Sequence, residues 1–283
     1  MVNLDLQVRK ARQQDQQHIS NLFYFEPYIH RHLDWRTPLD WLGGPEFWVA
    51  ENGQQVTASL ACPVDPAGIA WIRLFACSGE LALIDSWTSL WKTARDVLTA
   101  MGGVTAAAIS SQDWFVPLLK SSGFSVSQHI VILEHDGRPL PPFEPRPSTN
   151  IRRMTSSDLP VVAEVDAEAF IPLWQNSLDA LQRALTQAGW ATVAEIEGRI
   201  IGYQISTPNP FGGHLARLAV RPGAQRQGIG RALVHDLLRE STRQGLRKFT
   251  VNTQNDNPAS LALYKSIGFR SSREEYPVFV IKL

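Results

Sequence analysis

Cysteine is nearly absent: only Cys62 and Cys77 occur in 283 residues, both in the first half. That excludes a disulfide framework and a thiolate metal cluster, and both read as small buried hydrophobes. The seven histidines stand in no ligand constellation, so no metal is implied. Net charge is missing too. Lys plus Arg and Asp plus Glu each total 27, which argues against bulk attraction to nucleic acid or anionic lipid. No basic helix pattern points to nucleic acid either. No apolar run approaches the ~20 residues of a membrane span. The opening MVNLDLQVRKARQQDQQ lacks the apolar core of a signal peptide. These absences predict a cytoplasmic protein without nucleic-acid or membrane partners.

What is present is enough apolar mass for two cores, with 44% hydrophobic residues in a length that suits two domains. Residues 136–150 read DGRPLPPFEPRPSTN, with Pro139, Pro141, Pro142, Pro145 and Pro147. Such a run favours extended, semi-rigid chain. It predicts a linker at 138–149 between domains at 1–137 and 150–283. The halves also repeat one another. VRKARQQD from Val8 recurs as IRRMTSSD from Ile151, and WVAENGQQV recurs as TVAEIEGRII. IRLFACSG from Ile72 parallels ARLAVRPG from Ala216, and LLKSSGF parallels LYKSIGF. Four landmarks in one order suggest tandem duplication.

The second half reads as mixed α/β. Strands are predicted at 150–154 and 214–220, a hairpin at 192–197 and 200–207, and further strands at 248–253 and 278–283. Helices are predicted at 158–170, 178–188, 228–244 and 259–266. Between the 214–220 strand and the long helix runs a loop with Gln225, Arg226, Gln227, Gly228, Ile229 and Gly230. A helix N-terminus offers unpaired N–H groups and partial positive charge, and glycines let phosphate oxygens approach. The segment is therefore an anion cradle in design. It is not a Walker loop, because Arg231 and Ala232 stand where Lys-Ser/Thr is needed. Nor is it a dinucleotide fingerprint, since Leu233 replaces the third glycine and no acidic residue is well placed downstream.

Gln225-x-x-Gly228-x-Gly230 resembles the (Arg/Gln)-x-x-Gly-x-(Gly/Ala) signature of the GCN5-related N-acetyltransferase (GNAT) family. The segment from Asn257 through Tyr264 to Gly268-Phe269 is similar to that family's N-x-x-(A/S)-x-x-L-Y-x-x-x-G-F. The resemblance implies an α/β fold with a mixed sheet flanked by helices, in two tandem acyl-CoA N-acyltransferase-like domains. It implies acetyl-CoA as cosubstrate and a small-molecule or peptide amine as acceptor. Backbone N–H groups of Arg226, Gln227, Gly228, Ile229, Gly230 and Arg231 then bind the pyrophosphate, and Leu218, Ala219 and Val220 pair with the pantetheine arm. Asn257 contacts that arm, and Tyr264 protonates the departing sulfur. A glutamate serves some members as base four residues before Leu218. His214 stands there, so it is the candidate, with Glu195 a second one. Phe170, Trp174 and Tyr203 are candidates for the acceptor pocket.

The first half lacks the cradle: Glu80-Leu-Ala-Leu-Ile-Asp85 follows IRLFACSG, and Leu119 stands at the tyrosine position. It reads as a degenerate copy without cofactor binding, its aromatic-rich stretch 23–48 either packing or shaping a pocket. Three functions follow: an acetyltransferase, a catalytically silent acetyl-CoA-binding regulatory module, or a tandem-domain enzyme that resembles mycothiol-type synthases and acylates an amino-sugar thiol precursor.

Overall fold

The structure is a computed structural model and describes residues 6–32, 34–53, 55–79, 83–145, 148–209 and 212–283. Along the first half run β1 (Leu6–Lys10), α1 (Gln16–Phe25), β2 (Tyr28–Arg31), β3 (Phe47–Asn52), β4 (Gln55–Ala61), β5 (Ile69–Trp71), β6 (Leu74–Cys77), α2 (Leu83–Met101), β7 (Thr105–Ile109), α3 (Phe115–Ser121) and β8 (Ser125–His135). The second half continues with β9 (Asn150–Arg153), α4 (Leu159–Ala169), α5 (Leu178–Gln187), β10 (Trp190–Ile196), β11 (Arg199–Asn209), β12 (Gly212–Val220), α6 (Ile229–Arg243), β13 (Phe249–Gln254), α7 (Pro258–Ile267) and β14 (Arg270–Lys282). The expected mixed α/β class holds, with element ends differing by a few residues. The largest difference is β14, which starts eight residues before the strand expected at 278–283.

Contacts divide the chain into two units, and neither follows chain order. Unit 1 is Met1–Ser127 with Tyr276–Leu283, and unit 2 is Gln128–Glu275. In unit 2 the sheet runs β8-β13-β12-β11-β10-β9. The end of β8 pairs antiparallel with β13, from His135↔Phe249 to Ile130↔Gln254. Unit 1 has a sheet β1-β3-β4-β6-β2 and a ladder in which β7 pairs parallel with β5 and antiparallel with the end of β14, Val278↔Ile109 to Lys282↔Thr105. Each unit thus receives a strand from the other half of the sequence. The closing strand expected to finish the second half serves unit 1, where Val278 and Phe279 are buried. The expected linker is not a bare spacer either: Leu140 packs on the β8/α6/β13 core, and Phe143 lies against α6. Pro147 lies outside the described residues.

The duplication is visible in side chains. In unit 1, Arg9 donates to both Asp15 carboxylate oxygens at 2.7 and 2.8 Å and also to Glu51. In unit 2, Arg152 donates to both oxygens of Asp158 at 2.8 Å and to Glu195 at 2.7 Å. In each, the Asp also accepts from the backbone N–H three residues before it, Arg12 or Thr155, at 2.7 Å, which fixes the turn into the first helix. The Asp carboxylate therefore starts the helix, while the arginine it holds ties β1 or β9 to its neighbouring strand. Cys62 and Cys77 are buried free thiols.

Strand β8 covers one edge of β13. Removing it exposes six residues of backbone donors and acceptors beside an apolar core. A fragment 128–275 is expected to fold, whereas 138–275 is expected to lose native hydrogen-exchange protection in Phe249–Gln254. Equal protection of both fragments would show that β8 is dispensable.

Candidate active site

Strand β12 pairs with β11 along its length but with β13 only at Gly213↔Phe249, His214↔Thr250 and Leu215↔Val251. At the point of parting, Ala216 is an extra residue in the β11 ladder, where Ser206 opposes Leu215 and Ile205 opposes Arg217. A bulge bends and twists the strand that carries it. Beyond it, β12 keeps β11 and leaves β13. The N–H of Arg221 bonds to the Ile201 carbonyl at 2.8 Å. Alternation then directs the N–H groups of Ala219 and Arg217 to β11, and those of Val220 and Leu218 to the open side. Leu218, Ala219 and Val220 thus form a strand edge of the kind an extended chain can pair with.

The edge ends in the loop. Gln225 Nε2 donates to the Val220 carbonyl at 3.1 Å, and Gln227 Nε2 to the Gly223 carbonyl at 3.0 Å. Gly228 caps α6 with φ of 84°, in the left-handed region where a side chain is strained. Arg226 takes φ of 58°. The first bond into α6 runs from the Ala232 N–H to the Gly228 carbonyl, so Ile229, Gly230 and Arg231 precede the first bonded turn. A Cβ on Gly230 would lie 3.3 Å from Leu263. Leu263 is on α7, so a side chain at 230 would crowd the approach of that helix to the start of α6. Loop, left-handed cap and open edge fit an acyl-CoA: an anion at the helix start and an extended arm beside β12.

Tyr264 on α7 is 4% exposed, and burial pushes its phenol above the ordinary range, so it stays protonated at neutral pH. Asn257 caps α7, its Oδ1 accepting the Ser260 N–H at 3.0 Å. Its Nδ2 donates to Gln254 Oε1 at 3.5 Å. His214 is half-buried, its Nδ1 lies 2.8 Å from Thr250 Oγ1, and burial lowers its pKa, keeping the ring neutral. Glu195 is bound to Arg152 and Asn150. Glu51 makes the equivalent ion pair with Arg9 in unit 1.

A network invisible in the sequence holds the segment after α4. Asp166 is fully buried. It accepts from the Tyr203 hydroxyl, from Arg217 Nε and Nη2 at 2.7 and 2.8 Å, and from the Asn176 N–H at 2.8 Å. Arg217 also donates to the Trp174 carbonyl and stacks on Phe170 at 3.6 Å. Tyr203 is therefore a core residue holding Asp166, not an open pocket wall. Phe170 and Trp174 are half-buried, on a segment clamped to β12 by Arg217. The available signal was a carboxylate on the apolar stripe of α4 and an arginine inside an apolar strand, each needing a partner.

Residues 159–269 match the sequence profile of the Acetyltransferase (GNAT) family. The second half of the chain carries a GNAT-family domain. With named N-acetyltransferases among its relatives, it is an acyltransferase. It is 27% identical over 130 residues to the [ribosomal protein bS18]-alanine N-acetyltransferase of Escherichia coli, covering 45% of this chain and 86% of that protein. It is 31% identical over 173 residues to the mycothiol acetyltransferase of Amycolatopsis mediterranei, covering 54% of this chain but only 57% of that one. The fold of the whole chain matches a tandem GNAT protein from the clavulanic acid biosynthesis pathway, with TM-score 0.62, 15% identity and 98% of each chain covered.

Unit 1 repeats this parting of strands and then closes it. Trp71↔Ala107 is the last β5–β7 pair, at positions 144 residues before Leu215 and Val251. From Leu74 to Cys77 the free edge is taken by β2, Tyr28↔Cys77 to Arg31↔Leu74. Arg73, the counterpart of Arg217, faces Asp34 just beyond β2 at 3.3 Å. The stretch expected to pack or to shape a pocket therefore fills the groove that unit 2 leaves open. Glu80 lies outside the described residues, Asp85 sits in the first turn of α2, and Leu119 is fully buried.

The Arg152 guanidinium depresses Asp158 to about 2 from an ordinary 3.8. A depressed carboxylate contributes stability that is present above its unfolded pKa and lost as pH falls through the folded value. Asp158→Asn is therefore expected to flatten the loss of stability between about pH 4 and 2, measured by denaturant unfolding. An unchanged acid limb would place the stabilisation elsewhere.

Proposed function

We propose that this chain is an N-acetyltransferase that moves the acetyl group of acetyl-CoA to a primary amine by direct attack in a ternary complex. The observation that carries the reading is the open edge Leu218–Val220 running into a glycine-capped helix start. The arm of acetyl-CoA pairs along that edge, and its pyrophosphate meets the N–H groups of residues 226–231, with Arg226 and Arg231 adding charge. We assign the catalytic domain to 150–283 completed by β8, the degenerate copy to 1–137 completed by the end of β14, and the connection to 138–149.

An alkyl ammonium has a pKa near ~10.4 and must lose a proton before it attacks. His214, kept neutral by burial, receives that proton. The amine nitrogen bonds to the acetyl carbon, with the developing oxyanion at the Leu218 N–H. The C–S bond breaks as Tyr264 protonates the sulfur; the attacking nitrogen then gives up its second proton, which returns through water to the Tyr264 phenolate, and His214 releases the first to solvent. The amide and free CoA are the products. A small-molecule or peptide amine fits this chemistry. The relatives name the two classes a screen starts with: an N-terminal alanine peptide and the amine of an amino-sugar thiol.

Calorimetry of the full chain with acetyl-CoA is expected to give one site, because β2 occupies the groove of unit 1. Two sites would contradict that assignment, and no binding at millimolar ligand would overturn the function. Tyr264→Phe is expected to lower kcat for CoA release by about 10²-fold with acetyl-CoA affinity unchanged. CoA binding without thiol release for any amine would favour the silent regulatory module instead. His214→Ala should remove a limb of the pH–rate profile, and an unchanged profile dismisses it as the base.

A further inference from the structure

The site so far lacks a group that receives a charged acceptor. We propose that Glu134, on the strand β8 that the first half of the sequence supplies to unit 2, binds the ammonium of the acceptor beside His214. The proposal rests on the acetyltransferase reading.

The placement follows from register. Val131 and Leu133 of β8 pack with Phe249 and Val251 of β13 and with Val234, Leu237 and Leu238 of α6. Glu134 and Thr250 are the intervening residues, directly opposite one another, so they share the other face of the sheet. Thr250 is opposite His214 on β12, and the 2.8 Å approach of Oγ1 to Nδ1 puts the imidazole on that same face. His214, Thr250 and Glu134 thus stand in a row across three strands spaced about 4.8 Å apart. The row lies one residue before Leu215↔Val251, the last pair before β12 parts from β13.

Their chemistries divide the work. Thr250 occupies Nδ1 of His214, leaving Nε2 for the acceptor. A neutral imidazole takes a proton but does not attract a cation. Glu134 does attract one: its side chain is exposed, and among the described residues it makes neither an ion pair nor a hydrogen bond. An acceptor with pKa near ~10.4 arrives charged, so a carboxylate on the same face, across Thr250 from the base, draws it there before its proton passes to the ring. The row also gives the first half a reason to persist although its own groove is filled, since β8 carries Glu134 into unit 2. Gln128 at the start of the same strand reaches the acceptor segment, its amide oxygen 2.7 Å from Trp174 Nε1 in the orientation that satisfies both groups.

Two CoA thioethers of matched size test this without knowing the natural acceptor: S-(3-aminopropyl)-CoA, which places an ammonium beyond the sulfur, and S-butyl-CoA, which places a methyl there. The full chain is expected to bind the ammonium compound about tenfold more tightly, the scale of one charge-assisted hydrogen bond. Glu134→Gln is expected to abolish that preference and leave S-butyl-CoA affinity unchanged. Equal affinities in the unaltered chain, or a preference that survives the substitution, would overturn the role of Glu134. If neither compound binds the unaltered chain, the failure lies with the acyl-CoA site itself.

Discussion

A β-strand that keeps one neighbour and leaves the other exposes a row of backbone donors and acceptors, and everything at this site depends on that row. Such groups must be satisfied by protein, water or ligand. The bulge at Ala216 creates the parting in unit 2, β11 holds the strand straight beyond it, and the glycine-capped start of α6 closes the end with N–H groups. Acyl-CoA chemistry suits this edge because its arm is an extended chain with amides and its far end is an anion. Recognition of this kind is strand addition with a phosphate anchor.

The same parting exists in both units, and the difference between them is what fills it. In unit 1 the segment after α1 becomes β2 and satisfies the edge of β6. In unit 2 the segment after α4 is held by Asp166 and Arg217 instead. Arg73 and Arg217 occupy equivalent positions and anchor the equivalent segment in each copy, so one arginine serves opposite ends. Duplication supplied two grooves; local pairing closed one. Exchange of β8 and the end of β14 then makes each unit depend on both halves of the sequence.

Features set by neighbours in sequence were legible there. The loop from Gln225 to Gly230, the placement of Tyr264 on a helix and the four repeated landmarks all depend on short-range chemistry. Features set by pairing were not. No local pattern in 276–283 or 128–135 tells which sheet receives it, and the prolines at 139–147 drew attention to a boundary by chain order. β2 is four residues flanked by aromatics, so it read as packing or as a pocket wall. Asp166, Arg217 and Tyr203 lie on three elements, and only the fold shows that they share one carboxylate. Glu195 read as a possible base because a strand position alone does not reveal the arginine beside it.

Hydrogen exchange with and without acetyl-CoA reads the backbone groups of the β12 edge and the loop themselves. Slowed exchange is expected at the amides of Leu218 and Val220 and at those of residues 226–231, with Leu74–Cys77 unchanged because β2 already protects them. Protection appearing in Leu74–Cys77, or absent from the β12 edge while ligand is bound, would contradict this assignment of the two grooves.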